Sequence, residues 1–184
     1  LKLLSRLPLG VLYALTDGLY VFVYHIWHFR RALSLSNLRN SLPDKSAVEL
    51  ELIARQAYRN ACNMIAEILK GAVIGEQELR QRVRILNTDA LARFTQAGQS
   101  VIMLASHHCN WEWLLLAGCL EPGIHVDAVY KPLRVAAIDR FILEMRSRLG
   151  GKPIPVRDFL SAVIRRRGAA RVLALVADQT PPWN

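Results

Sequence analysis

Apolar residues fall in two regimes along this chain. Up to about residue 70 they form long stretches at helical spacing. From residue 83 onward they come as short runs, separated by polar, glycine- or proline-bearing segments. The longest stretch, Leu7 to Phe29, is mostly apolar, with Asp17 the only residue certain to be charged. A helix of that length spans about 30 Å, the thickness of a bilayer's hydrocarbon core. Tyr13, Tyr20, Tyr24 and Trp27 suit interfacial anchors, and Lys2, Arg6, Arg30, Arg31 and Arg39 flank the stretch. Arg30-Arg31 stands where a signal peptide would have its small-residue cleavage site. The competing reading is a buried core helix, which Asp17 and Gly18 favour.

Pro43 and Asp44 break the helical pattern, and Ser46 with Glu49 makes a capping box. The helix it opens is expected to run to about Lys70, with Leu50, Ile53, Ala57, Ala61, Met64, Ile65 and Ile68 on its apolar face. Glu76–Arg82 suggests a short helix, Val83–Leu86 a short strand, and Asp89–Ala97 a helix ended by Gly98. Val101–Ala105 is an apolar run too short for a helix and reads as a buried strand. A helix from Trp111, a strand over His125–Tyr130 and a helix over Ala136–Leu149 follow. Next come an extended piece at Pro153–Pro155, a helix over Phe159–Arg167 and a strand over Arg171–Ala177. A turn at Asp178-Gln179-Thr180-Pro181-Pro182 ends the pattern. The alternation predicts an α/β fold with a partly parallel central sheet flanked by helices, preceded by an N-terminal hydrophobic helix. The expected division is residues 1–35 as a membrane-associated helix and 36–184 as an α/β domain, incomplete at its C-terminus.

Charge narrows the partners. A net charge of +9 in 184 residues, with 52% hydrophobic residues, points to anionic partners such as a membrane surface or a phosphorylated lipid. Nucleic acid is not expected, because no binding motif interleaves the arginines with aromatics. Cys62, Cys109 and Cys119 are odd in number and widely spaced, as reduced thiols are.

The candidate chemistry sits between the strand at Val101–Ala105 and the helix from Trp111, in Ser106-His107-His108-Cys109-Asn110. Open α/β sheets carry their sites on that rim. Four residues separate His107 from Glu112, so a carboxylate in the first helical turn could fold back onto the imidazole and fix its tautomer. His107, His108, Cys109 and Glu112 are also zinc-ligand types, but neighbours on one turn converge poorly, and no metal is expected. Lys131, Arg140, Arg146, Arg148 and Arg157 leave the same sheet and would suit phosphate, although a solvated helix face explains each alone. Arg165-Arg166-Arg167 reads as a solvated or membrane-facing patch.

These residues carry a family resemblance. Ser-His-His-Cys-Asn-Trp-Glu-Trp at 106–113 resembles the Gly-His-Tyr-Gly-Asn-Trp-Glu-Trp block of the bacterial lipid A biosynthesis (lauroyl/myristoyl-type) acyltransferases. Their superfamily, the lysophospholipid acyltransferases, is marked by His-x4-Asp/Glu. Ser36-Asn37-Leu38-Arg39-Asn40-Ser41-Leu42-Pro43, Tyr130-Lys131-Pro132-Leu133, Asp139-Arg140 and Ala177-Asp178-Gln179-Thr180-Pro181 are similar to further blocks of that family, in the same order. Three positions depart: Cys109 stands for the usual glycine, His108 for an aromatic and Lys131 for an arginine. The resemblance implies a membrane-associated enzyme that moves an acyl chain from an acyl carrier protein thioester, or less readily coenzyme A, to a hydroxyl of a lipid A precursor. It implies His107 as general base oriented by Glu112, with Asn110, Lys131, Arg140, Arg157, Asp178 and Gln179 on the substrates. Neither cofactor nor metal is implied, and the expected location is the cytoplasmic face of a bacterial inner membrane. A lysophospholipid or other glycolipid acceptor, and a non-catalytic basic lipid-binding module, stand as alternatives.

Overall fold

The computed structural model of the 184-residue chain describes residues 1–166 and 168–179, and two compact units divide between Lys70 and Gly71. Arg167 and the Thr180-Pro181-Pro182 turn lie outside the described residues.

The first unit is helical: α1 (Lys2–Ser5), α2 (Leu9–Val21), α3 (Arg31–Ser41) and α4 (Ala47–Gly71). A π-helical turn, Phe22–Ile26, prolongs α2. The helical stretch thus stops short of Phe29, where His28 and Arg30 take left-handed backbone (φ 52° and 53°). Leu9–Ile26 is long and apolar enough to cross a membrane, with a mean hydropathy of 1.4 over 18 residues. Its polar residues meet α4: Tyr13 donates to Glu67 (2.8 Å), Thr16 to Asn63 (3.2 Å), and Arg59 grips both oxygens of Asp17 (2.8 and 3.0 Å). Val11, Leu15, Phe22 and Ile26 stay exposed.

The capping box forms as expected. The Ser46 hydroxyl accepts from Glu49 N–H (3.3 Å), and the Glu49 carboxylate accepts from Ser46 N–H (2.9 Å). Together with Lys45 this holds the Glu49 carboxyl down at about 2. The buried line of α4 is Leu50, Ala54, Cys62 and Ala66, whereas Ala57, Ala61 and Ile65 of the expected face are exposed. Residues four apart lie over one another on a helix, and this line is one such ridge.

The second unit follows the alternating pattern: α5 (Glu76–Arg82), α6 (Thr88–Gln96), β1 (Val101–Ala105), α7 (Trp111–Gly118), β2 (Val126–Tyr130), α8 (Ala136–Ser147), β3 (Lys152–Pro155), α9 (Phe159–Arg165) and β4 (Val172–Val176). A 3₁₀ turn, Val156–Asp158, leads into α9. Residues 83–86 do not form a strand; four residues with no neighbour to complete a ladder stay irregular. Gly98, at φ 74°, turns the chain from α6 into β1 in a backbone conformation that glycine adopts at no steric cost. Gly151, in the turn between α8 and β3, is glycine for another reason: a Cβ there would stand 2.4 Å from the Arg146 carbonyl oxygen.

The strands lie in the order β1-β4-β2-β3, every pair parallel. Parallel order puts all four carboxyl ends on one rim. Ile124, Val126 and Val172 form a buried cluster, packed by Leu91, Met103, Leu115, Cys119 and Ala174. Asp127, 1% exposed, is a charge inside the sheet, gripped by Arg171 (2.6 Å) and Arg166. Arg166 is therefore not simply part of a solvated patch, because a buried carboxylate is tolerated only when paired.

Candidate active site

Val101 pairs with Val172 and Ala105 with Val176, so β1 and β4 run in step to their ends. Two residues past each end lie His107 and Asp178. The register brings them face to face: His107 Nδ1 is 2.8 Å from Asp178 Oδ1, and His107 N–H donates to Asp178 Oδ2 at 3.0 Å. One carboxylate thus holds both the ring and the backbone of His107. The Trp111 ring meets the imidazole edge-on, with centroids 4.8 Å apart. Both partners are about one-third exposed, so the site opens to solvent. The hydrogen bond from His107 holds the Asp178 carboxyl below its ordinary value.

The carboxylate expected on His107 was that of Glu112, and the contact differs. Among the described residues no hydrogen bond or ion pair joins them. Glu112, 4% exposed, lies in the first turn of α7 with its side chain turned inward, where Arg146 of α8 binds both its oxygens (2.8 and 2.5 Å). The Arg146 guanidinium also lies 5.7 Å over the Tyr130 ring. Helical geometry supplies the reason: the second residue of α7 faces the layer of helices, whereas His107 follows the strand.

Asn110 caps α7. Its side-chain oxygen accepts from Trp113 N–H at 2.9 Å, the third helical position. That leaves the N–H groups of Trp111 and Glu112, which a helix start provides without an intrahelical acceptor. Just before the cap, Cys109 is exposed and holds φ 50°. Left-handed backbone at the position where the resembled family has glycine is a physical match to that motif. Cys119, by contrast, is pushed up to about 11 by burial.

Lys131 follows β2, Arg140 stands on α8, Arg157 follows β3, and Gln179 adjoins Asp178. All four are exposed and none bonds His107. Arg157 is 80% exposed and lies 3.7 Å from Asp158. Asp139 is engaged, accepting from Leu133 N–H at 2.8 Å and folding the loop after β2 onto α8. Arg148 donates to the Ile74 carbonyl (2.7 Å), a structural use of a residue expected near phosphate.

Three features went unread in the sequence: Asp178 as the partner of the imidazole, Trp111 as its wall, and Arg146 as the partner of Glu112. The first had a usable signal, since His107 and Asp178 each follow an apolar run by two residues. Among the described residues no three His, Cys, Asp or Glu side chains are grouped to hold a metal. Chemically, an imidazole with Nδ1–H donated to a carboxylate presents Nε2 as a proton acceptor.

The family model for bacterial lipid A biosynthesis acyltransferases matches residues 1–181. No curated protein matches the chain.

Proposed function

Because the chain belongs to the bacterial lipid A biosynthesis acyltransferases, and so is an acyltransferase with an acyl donor and a lipid acceptor, we propose that His107 is its general base. The supporting observation is the imidazole held through Nδ1 by Asp178 at the carboxyl rim of a parallel sheet. Nε2 takes the proton of the acceptor hydroxyl as its oxygen attacks the thioester carbonyl carbon. The carbon–sulfur bond then breaks, and the imidazolium returns the proton to the departing thiolate. Asp178 keeps the tautomer and stabilises the imidazolium between these steps. The developing oxyanion needs donors, and the N–H groups of Trp111 and Glu112 at the start of α7 are suited to it. Glu112 serves from behind by tying that first turn to Arg146.

The donor is an acyl carrier protein thioester, and the acceptor a lipid A precursor with a free hydroxyl on a primary acyl chain. Lys131, Arg140 and Arg157 are the cations available to the phosphates, beside Asn110 and Gln179. The α2 stretch, with its exposed apolar side chains, associates with the inner membrane on the cytoplasmic side.

Transfer of a radiolabelled acyl chain to a lipid A precursor tests the site. His107→Ala is expected to lower kcat by at least about a hundredfold with the fold intact; an unimpaired variant refutes the assignment. Asp178→Asn should lower kcat more than Glu112→Gln does in protein that remains folded. The reverse order returns the orienting role to Glu112. Coenzyme A thioesters and lysophospholipids, run in parallel, decide donor and acceptor.

A further inference from the structure

The imidazole of His107 stands on an irregular segment, 106–110, and its acid partner Asp178 lies two residues beyond the end of β4. Both side chains meet water, at 34% and 38% exposure. Water competes for a bond between such groups, so the bond is weak in itself. The second contact of the carboxylate, Oδ2 with His107 N–H, fixes it against the backbone and not against the ring. Asp178 therefore chooses which ring nitrogen carries the proton, but a bond at one atom leaves the ring free to swing about it.

Trp111 supplies what is missing. Its ring lies 4.8 Å from the imidazole, centroid to centroid, with the planes at 75°. Edge-to-face contact at that separation is a favoured arrangement of flat rings, and it needs no bond that water can replace. The base on which the indole is mounted is firm. The Asn110 side chain accepts from Trp113 N–H at 2.9 Å, Arg146 binds both oxygens of buried Glu112, and Trp113 and Leu116 are buried. A half-buried indole at the first position of α7 thus stands against the ring from fixed backbone.

We propose that Trp111 is a positioning residue for the general base, holding the imidazole with Nε2 toward the reacting centre through both proton transfers. The proposal rests on the reading of His107 above and adds what keeps its ring in place between the two steps. Trp111 acts through His107, so its loss is felt in turnover and not in the binding of donor or acceptor.

In Trp111→Leu, kcat should fall about tenfold, a part of the hundredfold that a misplacement of about 1 Å costs. KM for donor and acceptor should stay within about twofold, because an effect confined to kcat marks a contact that matters after binding. Trp111→Phe keeps an aromatic edge and should recover most of the rate. A raised KM with kcat unchanged, or equal losses in the Leu and Phe variants, overturns the positioning role. A second measurement does not depend on turnover. The ¹⁵N shifts of the His107 ring, assigned by their loss in His107→Ala, report how the neutral imidazole divides between its Nδ1–H and Nε2–H tautomers. The Nδ1–H form should predominate in the natural protein and in Trp111→Phe, and give way to a mixture in Trp111→Leu. Equal shares in the natural protein and Trp111→Leu overturn the inference, whatever the rates. An unimpaired His107→Ala, by contrast, refutes the general base and leaves the ring measurement to stand on its own.

Discussion

Cys109 occupies left-handed backbone at φ 50°, which costs an L side chain about 1–2 kcal/mol. Glycine removes that cost but adds freedom to the unfolded chain, which offsets part of the gain. Cys109→Gly is therefore expected to stabilise the protein by up to about 1 kcal/mol, read as a higher denaturant midpoint at unchanged slope. Asp178 supplies a second test at this scale. Its carboxyl is held below its ordinary value by His107, so ionisation favours the folded state. That contribution is complete above the unfolded value near 3.8 and is lost as pH falls through the lowered folded value. The stability difference between the natural protein and Asp178→Asn should thus shrink as pH falls below about 4. A difference that stays undiminished through that fall would contradict the His107–Asp178 bond. The place of His107 at a strand end was legible in the sequence; its contact with Asp178 was not, because a partner 71 residues away enters only through strand pairing.

Among the elements, α7 carries the most. Asn110 fixes its start and Glu112 fixes its rotation, so the helix presents Trp111 to His107 and buries Trp113 and Leu116. Replacing Asn110 by Ala removes the cap and should cost about 1 kcal/mol of stability, measurable by urea unfolding. Removing Arg146 is harsher. Arg146→Ala strands the Glu112 carboxylate in the interior and should cost about 3 kcal/mol or more, of which Glu112→Gln in the same chain recovers a part. Strand and helix positions followed from apolar periodicity over most of the second unit. The exception, 83–86, has an apolar spacing like a strand's but no partner strand, and local pattern carries no information about partners.

At the scale of the molecule, charge and apolar surface act together. A net charge of +9 with exposed Val11, Leu15, Phe22 and Ile26 suits a surface that is anionic outside and apolar beneath. Binding to vesicles containing anionic lipid should weaken as salt rises from 0.1 to 1 M, where the screening length falls from about 10 to about 3 Å. Trp27→Ala should weaken it further at every salt concentration, and binding indifferent to both changes would remove the membrane from the proposal. By itself the sequence determined the alternating α/β order, the Ser46–Glu49 capping box, the apolar N-terminal stretch and the histidine at a strand end. Each of these is written in neighbouring residues, through periodicity, turn chemistry and capping. The tertiary structure alone decided that four strands lie parallel as β1-β4-β2-β3, that Asp178 meets His107, and that Glu112 turns to Arg146. Those pairings join residues 25 to 71 positions apart, and only the packing of the sheet and its helices brings them within hydrogen-bonding reach.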